Sequence, residues 1–328
     1  MNNEKVNNNY WDTAKRVWSK YSIVFVFVIL FLICTALTNG KFASWNNVTT
    51  ILRNASTVGI IALGMTFVII SGGIDLSSGP VMATAGMVLV FLQGSGTPLF
   101  LAILACIAVT AVFGFINGII TTKIKVPPFI VTLAVGIIAR SITMYLGNGA
   151  TVTGNNQDTF FKSIGNGSLA ITEKFVIPTP FIIMLVVAVI LTILLAKTKF
   201  GTFVFAVGCN DLAAKYSGIK VDRIKIWTYI IAGICVGIAG TIEISRMVAV
   251  SSTTSGAGYE FDAITAVLVG GTSLAGGRGT IYGTVIGAII LFFVNNMMIQ
   301  LDVSTYLTGA IKGAVIMIAV LLQARDKN

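Results

Sequence analysis

The chain has 328 residues, of which 55% are hydrophobic and 10% are charged, and its formal net charge at pH 7 is +10. An average soluble domain has about 25% charged residues. Several runs contain no charged residue at all: 21–40, 54–74, 76–122, 175–196 and 279–301. A soluble protein of this length has no interior large enough to bury them all. The composition therefore excludes an ordinary soluble protein and indicates an all-α polytopic membrane protein.

The apolar runs predict about ten transmembrane helices, since one crossing of the hydrocarbon core needs about 20 apolar residues. The third and the eighth are unusually short. The predicted spans are 21–38, 55–71, 80–94, 98–121, 127–147, 178–196, 225–245, 262–276, 280–301 and 305–323. They form one transmembrane domain, 21–323, between tails at 1–20 and 324–328. The first run is too long for a typical signal-peptide core, so we interpret it as a retained span.

Basic residues orient the predicted spans, because cytoplasmic loops carry an excess of Lys and Arg. Four bases lie in the N-terminal tail, two in the turn 122–126, six in the segment 197–225 and two in the C-terminal tail. All four segments fall on one side of the membrane if the spans alternate. We therefore predict a multi-pass membrane protein with both termini in the cytoplasm. The positive charge follows from this bias, and nucleic acid is not an expected partner.

Two connecting segments are long. Segment 148–177, predicted outside, is rich in Asn, Gly, Thr and Ser, and we favour a solvated surface loop slightly over a docking surface. Segment 197–225, predicted inside, contains a short helix that begins near Asn210, a good N-cap, and ends at Gly218, a good C-cap. Such a helix either fits into a groove of another protein or lies on the membrane surface.

Two distant segments have nearly the same sequence: residues 72–79 and 270–277 both follow Gly-Gly-x-x-Leu-small-small-Gly. Glycines in a membrane let backbones approach closely or let a helix break beside a cavity. The repetition indicates a transport protein with two related halves. Polar residues in these segments and in two later helices are candidates for the translocation path or its gate: Asp75, Ser77, Ser78, Asn117, Thr272, Ser273 and Asn295.

Each of these candidates also has a structural explanation. Asp75 precedes Pro80 at the start of the third span, where a carboxylate stabilises the positive end of a helix. Asn117 and Asn295 recur in Phe-x-Asn settings, where interhelical hydrogen bonding is the more ordinary role. The glycines of the repeats equally fit simple helix packing.

Four separated motifs in order resemble the permease subunits of monosaccharide ABC importers, and most closely the ribose permease group. The resemblance covers about residues 20–323. It departs at Cys209, where the family usually has glycine. The motifs are Gly-Gly-Ile-Asp-Leu-Ser-Ser-Gly at 72–79, Ala-Val-Gly-Cys-Asn at 206–210 with Ser-Gly-Ile downstream, Gly-Tyr-Glu-Phe-Asp-Ala-Ile at 258–264, and Gly-Gly-Thr-Ser-Leu-Ala-Gly-Gly-Arg-Gly at 270–279.

The resemblance implies a fold of the vitamin B12 importer type. It implies a homodimer or pseudo-symmetric dimer with a second permease copy, in the lipid bilayer of the bacterial inner membrane. It also implies two further partners, a cytosolic ABC ATPase that uses ATP and an extracytoplasmic sugar-binding protein. The segment 197–225 then becomes the loop that couples to the ATPase. Its candidate residues are Gly208, Asn210, Ala213, Ala214, Ser217 and Gly218.

The remaining residues argue against other classes. The chain has no Gly-x-x-x-x-Gly-Lys-Ser/Thr phosphate loop and no histidine. We expect no bound cofactor or metal, no disulfide, and no enzymatic activity. Glu243 is spaced to pair with Arg246, and Arg140 and Lys312 lie near the outer interface, where snorkelling is favoured over a substrate role. A secondary carrier driven by an ion gradient stays the alternative, although such carriers usually have ionisable residues at mid-membrane.

Overall fold

The computed structural model describes residues 28–29, 31–154, 158–172, 175–304, 307–314 and 317. The predicted tails 1–20 and 324–328 lie outside these residues, as do parts of the first and last predicted spans. The described portions of those two spans are helical at 31–37 and 307–314.

Helices between these two regions form the body of the protein. They are α1 (Trp45–Ile70), α2 (Ser78–Gly94), α3 (Leu99–Lys123), α4 (Pro128–Leu146), α5 (Thr159–Asn166), α6 (Thr179–Lys197), α7 (Lys199–Cys209), α8 (Asp211–Tyr216), α9 (Val221–Met247), α10 (Tyr259–Val269) and α11 (Ile281–Gln300). Four short strands accompany them: β1 (Thr151–Thr153), β2 (Ser168–Ala170), β3 (Val176–Pro178) and β4 (Ala249–Ser251).

Six helices in the described part of the chain are long and apolar enough to cross a membrane: α1, α3, α4, α6, α9 and α11. Each matches a predicted span. The short third and eighth spans correspond to α2, with 17 residues, and α10, with 11 residues. The predicted end of the eighth span was wrong, since α10 ends at Val269 and not at residue 276. The glycines that follow Val269 terminate the helix instead of extending it.

Helix α1 is the centre of the bundle. Every residue from Ala55 to Ile70 is buried, and α9, α11, α6 and α10 all pack against it. A helix that is apolar on all sides is expected in a membrane only where lipid or other helices surround it. The complete burial shows that here protein surrounds it.

The most extensive helix pair, α3 with α9, is built on small residues from both partners. A Cβ atom at Gly118 would lie 2.8 Å from the Cα of Ile226, and one at Gly237 would lie 2.6 Å from the Cα of Ile107. Gly114 and Gly233 likewise face backbone atoms of the opposite helix. This four-residue spacing of glycines lets two membrane helices approach at backbone distance. We call this contact the α3–α9 seam.

Helices α3, α4 and α6 lie at the periphery and expose large apolar side chains. Phe100, Leu104, Leu133, Ile137 and Val189 are all at least half exposed. Such a surface is unfavourable in water and suits hydrocarbon. These helices therefore form the outer, apolar layer around α1 and α9.

The segment 148–177 is more ordered than the predicted solvated loop. Its strand β1 pairs antiparallel with β4, with Val152 opposite Val250, and β2 pairs with β3. Helix α5 is capped by Asp158 and buries Phe161 completely. The polar composition of the segment predicts a solvated loop, but the buried side chain of Phe161 packs the segment against α9.

The segment 197–225 also contains more helix than predicted, because α7 precedes the short helix α8. The side chain of Thr198 accepts a hydrogen bond from the N–H of Gly201 and caps α7. Buried Val204 and Val207 hold α7 against the bundle. What looked like a polar loop is an apolar helix followed by a polar one.

Candidate translocation and coupling site

Both glycine repeats are breaks between helices. The first break, residues 71–77, separates α1 from α2, and the second, residues 270–280, separates α10 from α11. Helix α1 ends with the N–H of Gly72 bonded to the carbonyl of Ile69 and the N–H of Gly73 bonded to that of Val68. Gly72 has φ +82°, the left-handed conformation that favours glycine. This is a Schellman helix end.

The second break ends α10 with the same motif. The N–H of Gly271 bonds to the carbonyl of Leu268, that of Thr272 bonds to Val267, and Gly271 has φ +87°. The left-handed residue is thus the first glycine of one repeat and the second glycine of the other. The sequence repeat and the structural repeat are offset by one residue.

Asp75 organises the first break. Its Oδ1 accepts hydrogen bonds from the backbone N–H of Ser77 at 2.8 Å and from the hydroxyl of Ser77 at 2.6 Å. Its Oδ2 accepts one from the hydroxyl of Ser78 at 3.3 Å. All three residues are buried. A carboxylate at this position satisfies free donors at the start of α2 and favours the positive helix end, which agrees with the structural explanation of Asp75.

Three surrounding helices hold this break. Asn117 on α3 donates to the Ser77 hydroxyl at 2.9 Å. Thr132 on α4 and Tyr229 on α9 each donate to the carbonyl of Ile74 at 3.3 Å. The Asn117 Oδ1 atom is buried and has no hydrogen-bond partner in the described structure. Of the seven predicted path residues, the structure brings together four: Asp75, Ser77, Ser78 and Asn117.

The second break is looser. Its residues 273–278 form a small loop closed by the N–H of Ser273 and the carbonyl of Arg278, 3.0 Å apart. Thr272 is buried at its base, whereas Ser273 is half-buried. Asn295, predicted with this group, lies well along α11 and is half-buried, with its Oδ1 unpaired among the described residues. The structure does not place Asn295 with Asn117.

The predicted short helix is present as α8. The Asn210 side chain accepts from the N–H of Ala213 at 2.9 Å, as an N-cap does, and Gly218 has φ +83°. Ser217 donates its hydroxyl to the carbonyl of Ala213. Ala213 is exposed, but Ala214 is only 5% exposed and packs into the core of the chain itself. Ala214 therefore faces the bundle of its own chain.

Two residues on α8 were missed by the sequence reasoning. Leu212 is 67% exposed and Tyr216 is 89% exposed. They are four residues apart, so they lie on one face of the helix. Large exposed apolar side chains on a short polar helix indicate a contact surface. The four-residue spacing of Leu212 and Tyr216 could have predicted this surface from the sequence.

A cavity of about 790 Å³ lies between α8, the turn after α3 and the start of α9, and it reaches Gly72 of the first break. Its walls carry six bases and two acids. Two ion pairs cross it, from Lys225 to Asp211 and from Lys123 to Asp222 at 2.9 Å. The charged residues that line it are Lys123, Lys125, Asp211, Lys215, Lys220, Asp222, Arg223 and Lys225. The two internal segments predicted to be on the cytoplasmic side thus meet at one end of the bundle.

Comparison with known proteins adds the family. Residues 47–320 match the family model described as branched-chain amino acid transport system / permease component. The chain belongs to this permease family.

Several sugar permeases are similar to this permease over most of their length. The ribose import permease protein RbsC of Escherichia coli K12 is 38% identical over 330 residues, covering 100% of both chains. That of Bacillus subtilis is 42% identical over 301 residues, covering 92% of each. The D-allose transport system permease protein AlsC of E. coli is 35% identical, covering 93% of this chain and 91% of the other. The resemblance inferred from the motifs is confirmed. The search of solved structures gives no significant match.

Three ionisable residues inside the predicted spans of this permease are bonded to protein groups: Glu243, Arg140 and Lys312. Glu243 pairs with Arg246 at 3.2 Å, as predicted, and also accepts from Tyr259 at 3.1 Å. Arg140 donates to backbone carbonyls of the turn after β4, and Lys312 pairs with Asp262 at 2.9 Å. Both Arg140 and Lys312 therefore have acceptors within the protein, and their predicted snorkelling to the interface stays a prediction.

Proposed function

We propose that this chain is the membrane-spanning subunit of an ATP-driven importer that translocates a monosaccharide, ribose or a similar sugar. Full-length similarity to ribose import permeases is the observation that carries the proposal. A separate cytosolic ABC ATPase hydrolyses ATP, and an extracytoplasmic binding protein delivers the sugar. A second permease copy completes the path, and the basic end of the bundle faces the cytoplasm.

Helix α8 is the proposed contact with the ATPase. Its exposed face carries Leu212, Ala213 and Tyr216, while Ala214 and the Lys225–Asp211 ion pair hold the opposite face to the bundle. A helix fixed on one side and apolar on the other can enter a groove of a partner and transmit force. The basic cavity beside α8 favours an acidic surface on the ATPase.

The two breaks are the proposed inner gate. A neutral sugar needs hydrogen-bonding groups but no counter-charge, and a permease that receives its substrate from a binding protein gains nothing by holding it tightly. The hydroxyls of Ser77, Ser78, Thr272 and Ser273 supply such groups at the end of the bundle that carries α8. We propose weak intrinsic affinity and a lining of small polar residues.

The decisive experiment is reconstitution in proteoliposomes with the ATPase and the binding protein. Labelled ribose should enter only when all three proteins and ATP are present, and the purified permease alone should hydrolyse no ATP. Uptake that persists without the ATPase while an ion gradient is maintained would instead establish a secondary carrier. Competition with unlabelled allose and xylose defines the sugar preference.

Coupling is tested at Ala213. The Ala213→Glu substitution should abolish uptake and prevent co-purification of the ATPase, while the protein stays in the membrane. Ala170→Glu introduces the same charge at an exposed position on β2, away from the coupling helix, and should leave ATPase binding unchanged. Normal ATPase binding by the Ala213→Glu variant would remove α8 from the interface.

The gate is tested with introduced thiols, in a Cys209→Ser background because the other three cysteines are buried. Ser273→Cys should react with a cytosolic thiol reagent, and Ser77→Cys should react only in the transport state that opens the gate. Equal, nucleotide-independent protection of both positions would make the breaks packing features and place the gate elsewhere.

A further inference from the structure

Three backbone segments from distant parts of the chain meet at one point. They are the end of α1, the end of α7 and the second break. The N–H of Gly277 donates to the carbonyl of Ile70 at 2.9 Å, and the Cys209 thiol lies 3.8 Å from the carbonyl of Gly277. We call the set Ile70, Gly208, Cys209, Gly276 and Gly277 the glycine junction.

The junction has no room for side chains. A Cβ atom at Gly208 would overlap the carbonyl oxygen of Ile70 and lie 2.6 Å from the nitrogen of Gly277. A Cβ at Gly276 would lie 2.7 Å from the carbonyl oxygen of Gly208. These neighbours are backbone atoms, which cannot rotate away as a flexible side chain can. A displacement of Gly208 must therefore move both Ile70 and Gly277, since packed interiors transmit strain.

The position of the junction in the chain gives it a role. Gly208 precedes by two residues Asn210, the N-cap of α8. Ile70 is the last residue of α1 and directly precedes the first break, whereas Gly276 and Gly277 belong to the second. The end of α7, in the middle of the coupling segment, is thus in backbone contact with the residue before the first break and with the interior of the second break.

We propose that Gly208 is a positioning residue that passes the displacement of α8 to both breaks at once. This inference rests on the proposed function, in which α8 receives the force of the ATPase. Because Gly208 has no side chain, its backbone contacts Ile70 and Gly277 directly. No side-chain rotation can then absorb a displacement of α8 before it reaches the breaks. Both breaks then respond to one input, although they lie about 200 residues apart in the chain.

The first experiment compares Gly208→Ala with Gly94→Ala in the reconstituted transporter. A Cβ at Gly94 meets no atom within 4 Å, so the control makes the same substitution in open space. Gly208→Ala should still bind the ATPase and hydrolyse ATP, but sugar transported per ATP should fall about tenfold or more. Hydrolysis should also stop responding to the loaded binding protein. A wild-type ratio of sugar to ATP would overturn the proposal.

A second experiment perturbs the junction after folding, which removes the risk that Gly208→Ala does not assemble. Cys209 is exposed, and the other cysteines, Cys34, Cys106 and Cys235, are buried. A bulky maleimide applied to the assembled wild-type complex should modify Cys209 and increase the distance between the segments of the glycine junction. Transport per ATP should drop while hydrolysis and ATPase binding continue, and Cys209→Ser should be resistant to the reagent.

The outcomes separate this inference from the proposed function. Full transport by the modified complex would show that the glycine junction does not link α8 to the breaks. Release of the ATPase on modification would instead place Cys209 in the surface that docks the ATPase. Either result leaves ATP-dependent uptake by the untreated transporter intact. Absence of that uptake in the untreated transporter is the failure of the proposed function.

Discussion

The two breaks begin alike and continue differently. Both end a helix with a Schellman motif and a left-handed glycine, Gly72 in one and Gly271 in the other. The first break resumes a helix at Ser78, whereas the second adds left-handed Gly276 and Gly277 and resumes only at Ile281.

The difference between the breaks has a physical cause at one position of the sequence repeat. Asp75 in the first repeat corresponds to Ser273 in the second. The Asp75 carboxylate collects three donors and nucleates α2, while the Ser273 hydroxyl accepts only a weak bond from the N–H of Ala275 at 3.3 Å. The first break is therefore anchored to α3, α4 and α9, whereas the second break contacts the end of α1 and the coupling segment through Gly276 and Gly277.

The largest expected effect is that of replacing Asp75 by alanine, compared with the same substitution at Ser273. Asp75→Ala leaves the buried hydroxyls of Ser77 and Ser78 without an acceptor and should lower the free energy of unfolding by about 2–3 kcal/mol. Ser273→Ala should cost under about 1 kcal/mol, because this side chain is half-buried and has a weak bond. Thermal unfolding of the two variants in detergent measures the difference. Equal losses would show that the breaks are anchored alike.

An intermediate effect is expected at the two similarly placed asparagines. Asn117→Leu removes the bond to the Ser77 hydroxyl and should destabilise the protein by about 1 kcal/mol, with reduced uptake. Asn295→Leu removes a buried oxygen that lacks a partner in the described structure, so its unfolding temperature should stay unchanged or rise. A matched fall in both variants would indicate that α11 supports the second break as α3 supports the first.

Effects of similar size test the one-residue offset between the sequence repeat and the structural repeat. Gly72→Ala and Gly271→Ala each place a Cβ on a left-handed residue and should cost about 1 kcal/mol. Asparagine tolerates this conformation better, so Gly72→Asn and Gly271→Asn should recover part of the loss. If Gly270→Asn, rather than Gly271→Asn, behaves like Gly72→Asn, then the structural repeat follows the sequence alignment after all.

Much of the fold could be predicted from the sequence, because membrane burial imposes strong patterns. Apolar length located the six long helices, and the shortness of α2 and α10 was visible beforehand. Cap chemistry located α8 through Asn210 and Gly218. The end of α10 was missed, since a glycine-rich apolar segment has the hydropathy of a span whether or not it is helical.

The candidate site was predicted less completely, for reasons of tertiary packing. Asp75, Ser77 and Ser78 are near in the chain, so their grouping was accessible, whereas the bond from Asn117 depends on how α3 crosses the break. The inward position of Ala214 depends on the side by which α8 meets the bundle. Gly208 contacts Ile70 beside the first break and Gly277 in the second break. These three segments are distant in the chain, so no local sequence pattern predicts that they meet.

The α3–α9 seam limits how the protein can change shape. The two backbones lie in close contact at Gly114 and Gly118 on one helix and at Gly233 and Gly237 on the other, where few rotatable side chains separate them. Sliding along such a surface would require whole residues to jump past one another. The two helices should therefore travel as one rigid body through every stage of transport. Any opening of the proposed gate must then be accommodated at their contacts with the remaining helices.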